Sequence, residues 1–356
     1  MPFGPWRALL GAAVSILFLA LLARQVDVPK VVASIASTDY ALLLAAVPFY
    51  FAGVWFRALR WQQFLLPLAR LRAPGLFVQV VIGYMANDVL PLRVGELVRA
   101  YLLGRKHALA KSAVLGTIAL ERLTDGLTLL AFAGVIALFV PLEGWMGLVV
   151  RSMAVLFLGA AAGTLRVRLL RDRLGGRGPY PDPLPEGEGR DRGAPKGGGV
   201  RTGIAVPVLR IAGSFLGGTE GLRRPRLVAT AGLHAVLAWL FEAAVFYVVG
   251  LAVGLSLPLW LYLLAMALAN LATALPSSQA GIGPFEYFAA QTLILFGTDP
   301  SVAASYALLV HAVLILPVTL AGFLLLWREQ ISFRQLTATL AAGEGRTPPS
   351  ALGART

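Results

Sequence analysis

The sequence predicts an all-α fold, a polytopic membrane helix bundle of about six full spans plus two broken or re-entrant segments that read as an inverted repeat. Hydrophobic residues make up 58% of the chain and charged residues 14%, against about 45–50% and about 25% in soluble domains. The mean hydropathy is +0.75. Several apolar runs reach the roughly 20 residues needed to cross a bilayer. The basic residues gather between those runs, where they set orientation.

In the N-terminal membrane half, residues 1–165, the first apolar run covers Ala8 to Ala23. Leu22-Ala23-Arg24-Gln25 offers no small-x-small cleavage site, so the run reads as an uncleaved first span. The second run, Tyr40 to Phe56, is followed by Arg57, Arg60, Arg70 and Arg72. Leu76 to Met85 is too short to span, and more basic residues follow it: Arg99, Arg105, Lys106 and Lys111. With positive clusters on both sides, the stretch 76–99 is expected to dip in and return as a re-entrant hairpin. A long apolar helix comes next, over Ala113 to Val140, and another span over Trp145 to Leu165.

Residues 166–226 form a basic, Gly/Pro-rich cytoplasmic loop in which 175–199 has almost nothing to bury and is expected to be disordered. Ile204, Val208, Ile211 and Phe215 recur at helical spacing and predict an interfacial helix. The C-terminal membrane half, 227–328, opens with a helix from Leu227 to Leu255. Leu259 to Leu275 then leads into a broken segment, 270–296, and Val302 to Trp327 is the last span. A polar tail, 329–356, is expected to be disordered. The distribution of Lys and Arg places both termini in the cytoplasm. The stretch Pro276 to Pro284 carries neither Lys nor Arg, so it reads as a break at membrane depth, where irregular backbone must be buried in protein or line a wet cavity.

The two breaks share an order of residues. Asn87, Leu90-Pro91, Gly95 and Glu96 in the first are matched by Asn270, Leu275-Pro276, Gly281, Gly283 and Glu286 in the second. Paired interruptions in the two halves of a membrane protein point to a site near the midplane. The stretches NDVLPLRVGELVRAYLL, ERLTDGLTLL and ALPSSQAGIGPFE also resemble the flippase-like membrane proteins related to the transmembrane region of lysylphosphatidylglycerol synthase. The resemblance covers most of the chain outside the Gly/Pro-rich loop and the tail. It implies translocation of a modified phospholipid or other polar lipid between the leaflets of a bacterial inner membrane. Synthase members carry a soluble aminoacyl-transfer domain after the last span, and this sequence ends soon after Trp327. The resemblance therefore implies the flippase half alone, and the chain is expected not to be an enzyme.

An ionisable residue at mid-membrane costs roughly 2.5–3.5 kcal/mol on insertion scales, which makes each one a functional candidate. Arg93, Glu96 and Arg99 recur at spacings of three and share one helical face after Pro91. A guanidinium meets phosphate with two parallel hydrogen bonds, so Arg93 is the expected phosphate ligand, with Glu96 orienting it or meeting an amine. The structural alternative is an ion network that locks the hairpin. Arg99, nearer the surface, reads as a snorkelling or headgroup-anchoring residue. Glu121, Arg122 and Asp125 join the substrate-binding set, against an alternative in which they only pair with arginines of the first hairpin. Glu286 is its last member, against a capping role in which Gly283 is the N-cap and Pro284 the first helical residue. Asn87, Pro91, Gly95, Asn270, Pro276, Gly281, Gly283 and Pro284 are assigned to the breaks themselves. Ser277, Ser278 and Gln279 are candidates for polar lining.

His234 and Glu242 lie about two turns apart on one span and, like His311, read as helix–helix hydrogen-bonding groups. His107 sits in a basic loop. Cysteine is absent and the three histidines are scattered, so neither a metal nor another cofactor is expected. A net charge of +13 would raise nucleic-acid binding in a soluble protein, but no stacking platform or nucleic-acid motif accompanies it. The expected partners are membrane lipids with anionic headgroups and further copies of the chain. Trp6, Trp55, Trp61, Trp145, Trp260 and Trp327 fall near span ends and read as interfacial anchors. Beside translocation stand two alternatives. One is a membrane-embedded transferase using a lipid-linked donor, with Glu96, Glu121 or Asp125 as its base. The other is an accessory scaffold of envelope assembly. No nucleophile motif, Gly-rich phosphate loop or Asp-x-Asp metal pair is present.

Overall fold

The structure is a computed structural model that describes residues 5–90, 94–173, 214–215, 217–275 and 277–329. Pro91, Arg93, Pro276, the 175–199 segment, most of the expected interfacial helix and the tail beyond 329 lie outside the described residues. Among the described residues eleven α-helices carry the fold: α1 (Pro5–Ala23), α2 (Val28–Ala36), α3 (Tyr40–Leu65), α4 (Ala73–Val89), α5 (Gly95–His107), α6 (Lys111–Ala137), α7 (Gly144–Arg173), α8 (Pro225–Ala252), α9 (Leu259–Ala272), α10 (Pro284–Leu295) and α11 (Pro300–Arg328). Caps and prolines set several starts. The Asp39 carboxylate accepts from the backbone N–H groups of Ala41 and Leu42, and Asp299 does the same for Ser301 and Val302. Pro29, Pro225, Pro284 and Pro300 occupy first-turn positions, where the missing N–H is no loss.

Helices α3 to α6 and α8 to α11 form two matching units. Contacts between α3 and α4 are mirrored by α8 and α9, α4 and α5 by α9 and α10, and α5 and α6 by α10 and α11. The crossed contacts match as well: α4 with α11 against α9 with α6, and α3 with α11 against α8 with α6. The central pair, α3 and α8, maps onto itself and runs antiparallel. Phe56 stacks on Phe241 and meets His234, Gln63 meets Thr230, and the Asp39 N–H at the other end bonds to the Ala252 carbonyl. Two like units related by antiparallel central helices make an inverted repeat, the arrangement expected from the two breaks.

Four of the described helices, α3, α7, α8 and α11, are long and apolar enough to cross a membrane, and a fifth crossing results if α1 and α2, bent by 89°, count as one. The sequence reading had about six full spans. The difference lies in α6, which has 27 residues but whose Glu121, Arg122 and Asp125 take it out of the apolar class. Helix α1 ends in an elbow before Pro29, where the backbone N–H of Asp27 bonds to Ser301 Oγ at 3.0 Å.

Candidate functional site

Each unit contains one hairpin of short helices, and each hairpin is closed by local chemistry. In the first, the Asn87 side-chain oxygen near the end of α4 accepts from the backbone N–H of Gly95 at 2.7 Å. Gly95 is required by the approach of the two arms: a Cβ there would sit 2.0 Å from the Gly83 carbonyl oxygen. In the second, α10 starts at Pro284 with Gly283 as N-cap, and Glu286 Oε2 accepts from the Gly283 N–H at 2.7 Å. Gly283 has φ 99°, and a Cβ on it would lie 2.6 Å from the Ser15 carbonyl oxygen of α1. Ser15 Oγ donates to the Ile282 carbonyl at 2.7 Å and accepts from the Ser278 N–H at 2.9 Å. Helix α1 is thereby stapled to the second break.

Behind the hairpins runs a chain of buried ion pairs. Arg60 on α3 is 0% exposed and grips Asp125 on α6 with both terminal nitrogens, at 2.5 and 3.1 Å. Trp239 Nε1 on α8 donates to the same carboxylate at 2.9 Å. Arg99 on α5 pairs with Glu121 at 2.7 Å and lies 3.9 Å over the ring of Trp61, whose own N–H goes to Thr117. Arg57, one turn before Arg60, pairs with Glu242 across the repeat interface at 2.6 Å, and the Asn270 amide donates to the other Glu242 oxygen at 2.8 Å. Ions taken out of water are held by pairing of this kind, because an uncompensated buried charge is worth several kcal/mol of destabilisation, although Arg57 Nη1, Arg60 Nε and Arg99 Nε each have no hydrogen-bond partner among the described residues.

In front of this network lies a chamber of about 710 Å³, within the 300–1,000 Å³ typical of small-ligand sites. The first break contributes Asn87, Asp88 and Glu96, the second Asn270, Thr273 and Ser277, so both interruptions face one space. Arg57, Arg122, Asp125, Glu242 and His311 add charge and hydrogen-bonding groups. Apolar walls come from Trp6 and Leu10 of α1, Leu129 of α6 and Phe157 of α7. The Arg122 side chain is 42% exposed and makes one loose contact, 3.6 Å, to Asp125. Among the described residues, Arg57 Nη1, Arg122 Nε and Ser277 Oγ are buried without a hydrogen-bond partner. Donors left unsatisfied on a cavity wall are what a polar ligand would satisfy.

The expected residues therefore divide by position. Glu96, Arg122 and Asp125 line the chamber, and Glu121 and Arg99 are locked together behind it. Arg99 is 2% exposed and does not snorkel, because α5 folds back against α6 and buries it. Glu286 is 3% exposed, with both oxygens engaged by the Gly283 N–H and His311. Arg93 and Pro91 fall outside the described residues. Sequence reasoning placed Arg57 and Arg60 in a cytoplasmic cluster, yet both lie inside α3 and are buried. It also made Trp61 an interfacial anchor, whereas Trp61 is fully buried under Arg99. The available signal was the i, i+3 spacing of Arg57 and Arg60, which continues the helical run and puts both on one face.

Fold and site together define a polytopic membrane protein in which an inverted pair of broken-helix units encloses a charged chamber. The family model for the lysylphosphatidylglycerol synthase TM region matches residues 8–322, and the chain belongs to that family. It is also similar to the protein named Glycosyltransferase AglD from Haloferax volcanii, with 26% identity over 327 residues, 85% of this chain and 51% of that relative. The chain thus spans about half the length of this curated relative. The expectation that the chain is not an enzyme is corrected by this finding, since a relative matched along most of the chain carries the name of a group-transfer catalyst.

Proposed function

We propose that the chain is a membrane-embedded transferase, or the membrane part of one, that works on a sugar carried by a phosphorylated lipid and holds the lipid's polar head in the chamber. Its setting is a bacterial inner membrane with both termini cytoplasmic. The observation that carries this reading is the chamber wall itself, polar where Arg57, Arg122 and Glu96 face it and apolar where Trp6, Leu10 and Phe157 do. Such a wall suits an amphiphile, and the name of the Haloferax relative supplies the reaction class. Arg122 and Arg57 have guanidinium donors to give to phosphate, a match of geometry as well as charge. Glu96, half-buried on the wall, can accept hydrogen bonds from sugar hydroxyls. The other carboxylates once considered as bases, Glu121 and Asp125, are committed to buried arginines.

Purified full-length protein in liposomes, supplied with a lipid-phosphate carrying a labelled sugar, should yield label on a new acceptor. If the label stays on the donor with every acceptor lipid tried, the transferase reading fails. One feature favours a second reading, translocation of the same lipid: inverted units of interrupted helices are the frame on which alternating access is commonly built. The same liposomes separate the two. Translocation redistributes intact donor between leaflets, whereas transfer changes its covalent structure.

A further inference from the structure

On α11, 5% exposed and on the chamber wall, His311 makes one hydrogen bond among those described: its Nδ1 lies 2.5 Å from Glu286 Oε1. The ring is held by more than that contact. It stacks on Phe285 at 4.2 Å between centroids, and Glu286 is itself fixed by accepting from the Gly283 N–H with its other oxygen. In the neutral ring a carboxylate on Nδ1 sets the tautomer: Nδ1 carries the proton and Nε2 keeps its lone pair. Among the described residues nothing hydrogen-bonds to Nε2. A carboxylate-oriented imidazole with a free second nitrogen beside a ligand chamber is the arrangement of a proton acceptor, with the carboxylate stabilising the imidazolium that forms.

We infer that His311 is the proton-accepting group of the chamber and that Glu286 is its positioning residue, an inference that rests on the transferase reading. In the step, an acceptor hydroxyl gives its proton to Nε2 while its oxygen bonds to the anomeric carbon of the donor sugar. The bond from that carbon to the donor phosphate oxygen breaks, and its electron pair leaves on the phosphate. Atoms and charge balance without a further reactant. The phosphate end of the donor meets Arg122 and Arg57, while the acceptor hydroxyl sits on the His311 side. The sequence had offered His311 only as a helix–helix hydrogen-bonding group. Its partner lies 25 residues away on the preceding helix, α10, at a distance that no local spacing reveals.

The test uses full-length protein in liposomes containing a lipid-phosphate sugar donor and an acceptor lipid. H311A is expected to lower transfer about 10²–10⁴-fold, to leave the KM for donor near that of wild type, and to recover part of the loss when free imidazole is added. E286Q is expected to lower kcat while leaving KM unchanged. Transfer by H311A at the wild-type rate overturns the assignment and leaves the transferase reading standing. An inactive H311A protein that is folded by thermal melt yet gains nothing from imidazole also overturns it. A second measurement does not depend on transfer: diethyl pyrocarbonate should modify His311 in an H107Q/H234Q background, and bound donor should protect it. If wild type transfers no sugar, the transferase reading falls by itself. The labelling then decides the site, since an unreactive His311, or one the donor does not shield, shows that Nε2 is not presented to the chamber.

Discussion

Arg57 Nη2 lies 2.6 Å from Glu242 Oε2, with the two side chains on the antiparallel helices α3 and α8 that map onto each other in the repeat. The pair is buried on both sides, and the Arg57 guanidinium also sits 4.6 Å over the Trp239 ring. Removing one partner leaves the other as an uncompensated charge. E242A and R57A should each destabilise the folded protein by about 3–5 kcal/mol, while the double replacement R57M/E242L should recover much of that. Thermal unfolding in detergent measures it. Equal melting temperatures for wild type and E242A would rule the pair out as a structural lock.

Arg122 should behave in the opposite way. Its side chain is 42% exposed and has only a 3.6 Å contact to Asp125, so R122A should leave the melting temperature close to wild type. The lost hydrogen bonds to a phosphate head are worth about 1.5–3 kcal/mol, or roughly tenfold to 100-fold in affinity. Titrating a lipid-phosphate into nanodiscs reads that loss. Unchanged affinity would remove Arg122 from the head-binding set.

Gly283 combines a backbone conformation that L-residues avoid with a Cβ position 2.6 Å from the Ser15 carbonyl. G283A is expected to lose about 1–3 kcal/mol from the backbone alone, and the clash should lever α1 away from the second break. Proteolysis within residues 5–23, absent in wild type, would report that release. Resistance equal to wild type would show that α1 is held by other contacts.

Because the chain has no native cysteine, single thiols can map the chamber. N87C, S277C and T273C should react with a small hydrophilic maleimide, whereas A265C and A307C, on residues that are 0% exposed, should not. Failure of all three chamber thiols to react would mean that water does not enter the space between the breaks.

The breaks were legible because their residues have local work to do. Asn87 bonds to Gly95 eight positions on, and Gly283, Pro284 and Glu286 build a helix start within four residues, a span that a linear pattern preserves. The ion pairs were not legible in the same way. Arg57 and Glu242 are 185 residues apart and Arg60 and Asp125 are 65 apart, so the local spacing can put both arginines on one helical face but cannot name the carboxylates that bury them. The rule that places arginines at span ends on the cytoplasmic side drew Arg57 and Arg60 outward. Helix α3 continues to Leu65 and carries them inward instead. Glu121 and Asp125 gave a partial hint, since carboxylates one turn apart in an apolar helix need cations nearby. Those cations turned out to be Arg99 and Arg60.

A bundle whose halves exchange by a half-turn offers the same profile to each leaflet. Helix α1 ends that equivalence. It docks on the second break through Ser15 and on α10 through Phe18, it places Trp6 and Leu10 on the chamber wall, and among the described residues α5, the element of the other unit that matches α10, makes no comparable contact with it. Trp6 and Leu10 thus add an apolar strip to the chamber wall from outside the two repeated units. The frame of the bundle is repeated, while the lining of the space it encloses is one-sided.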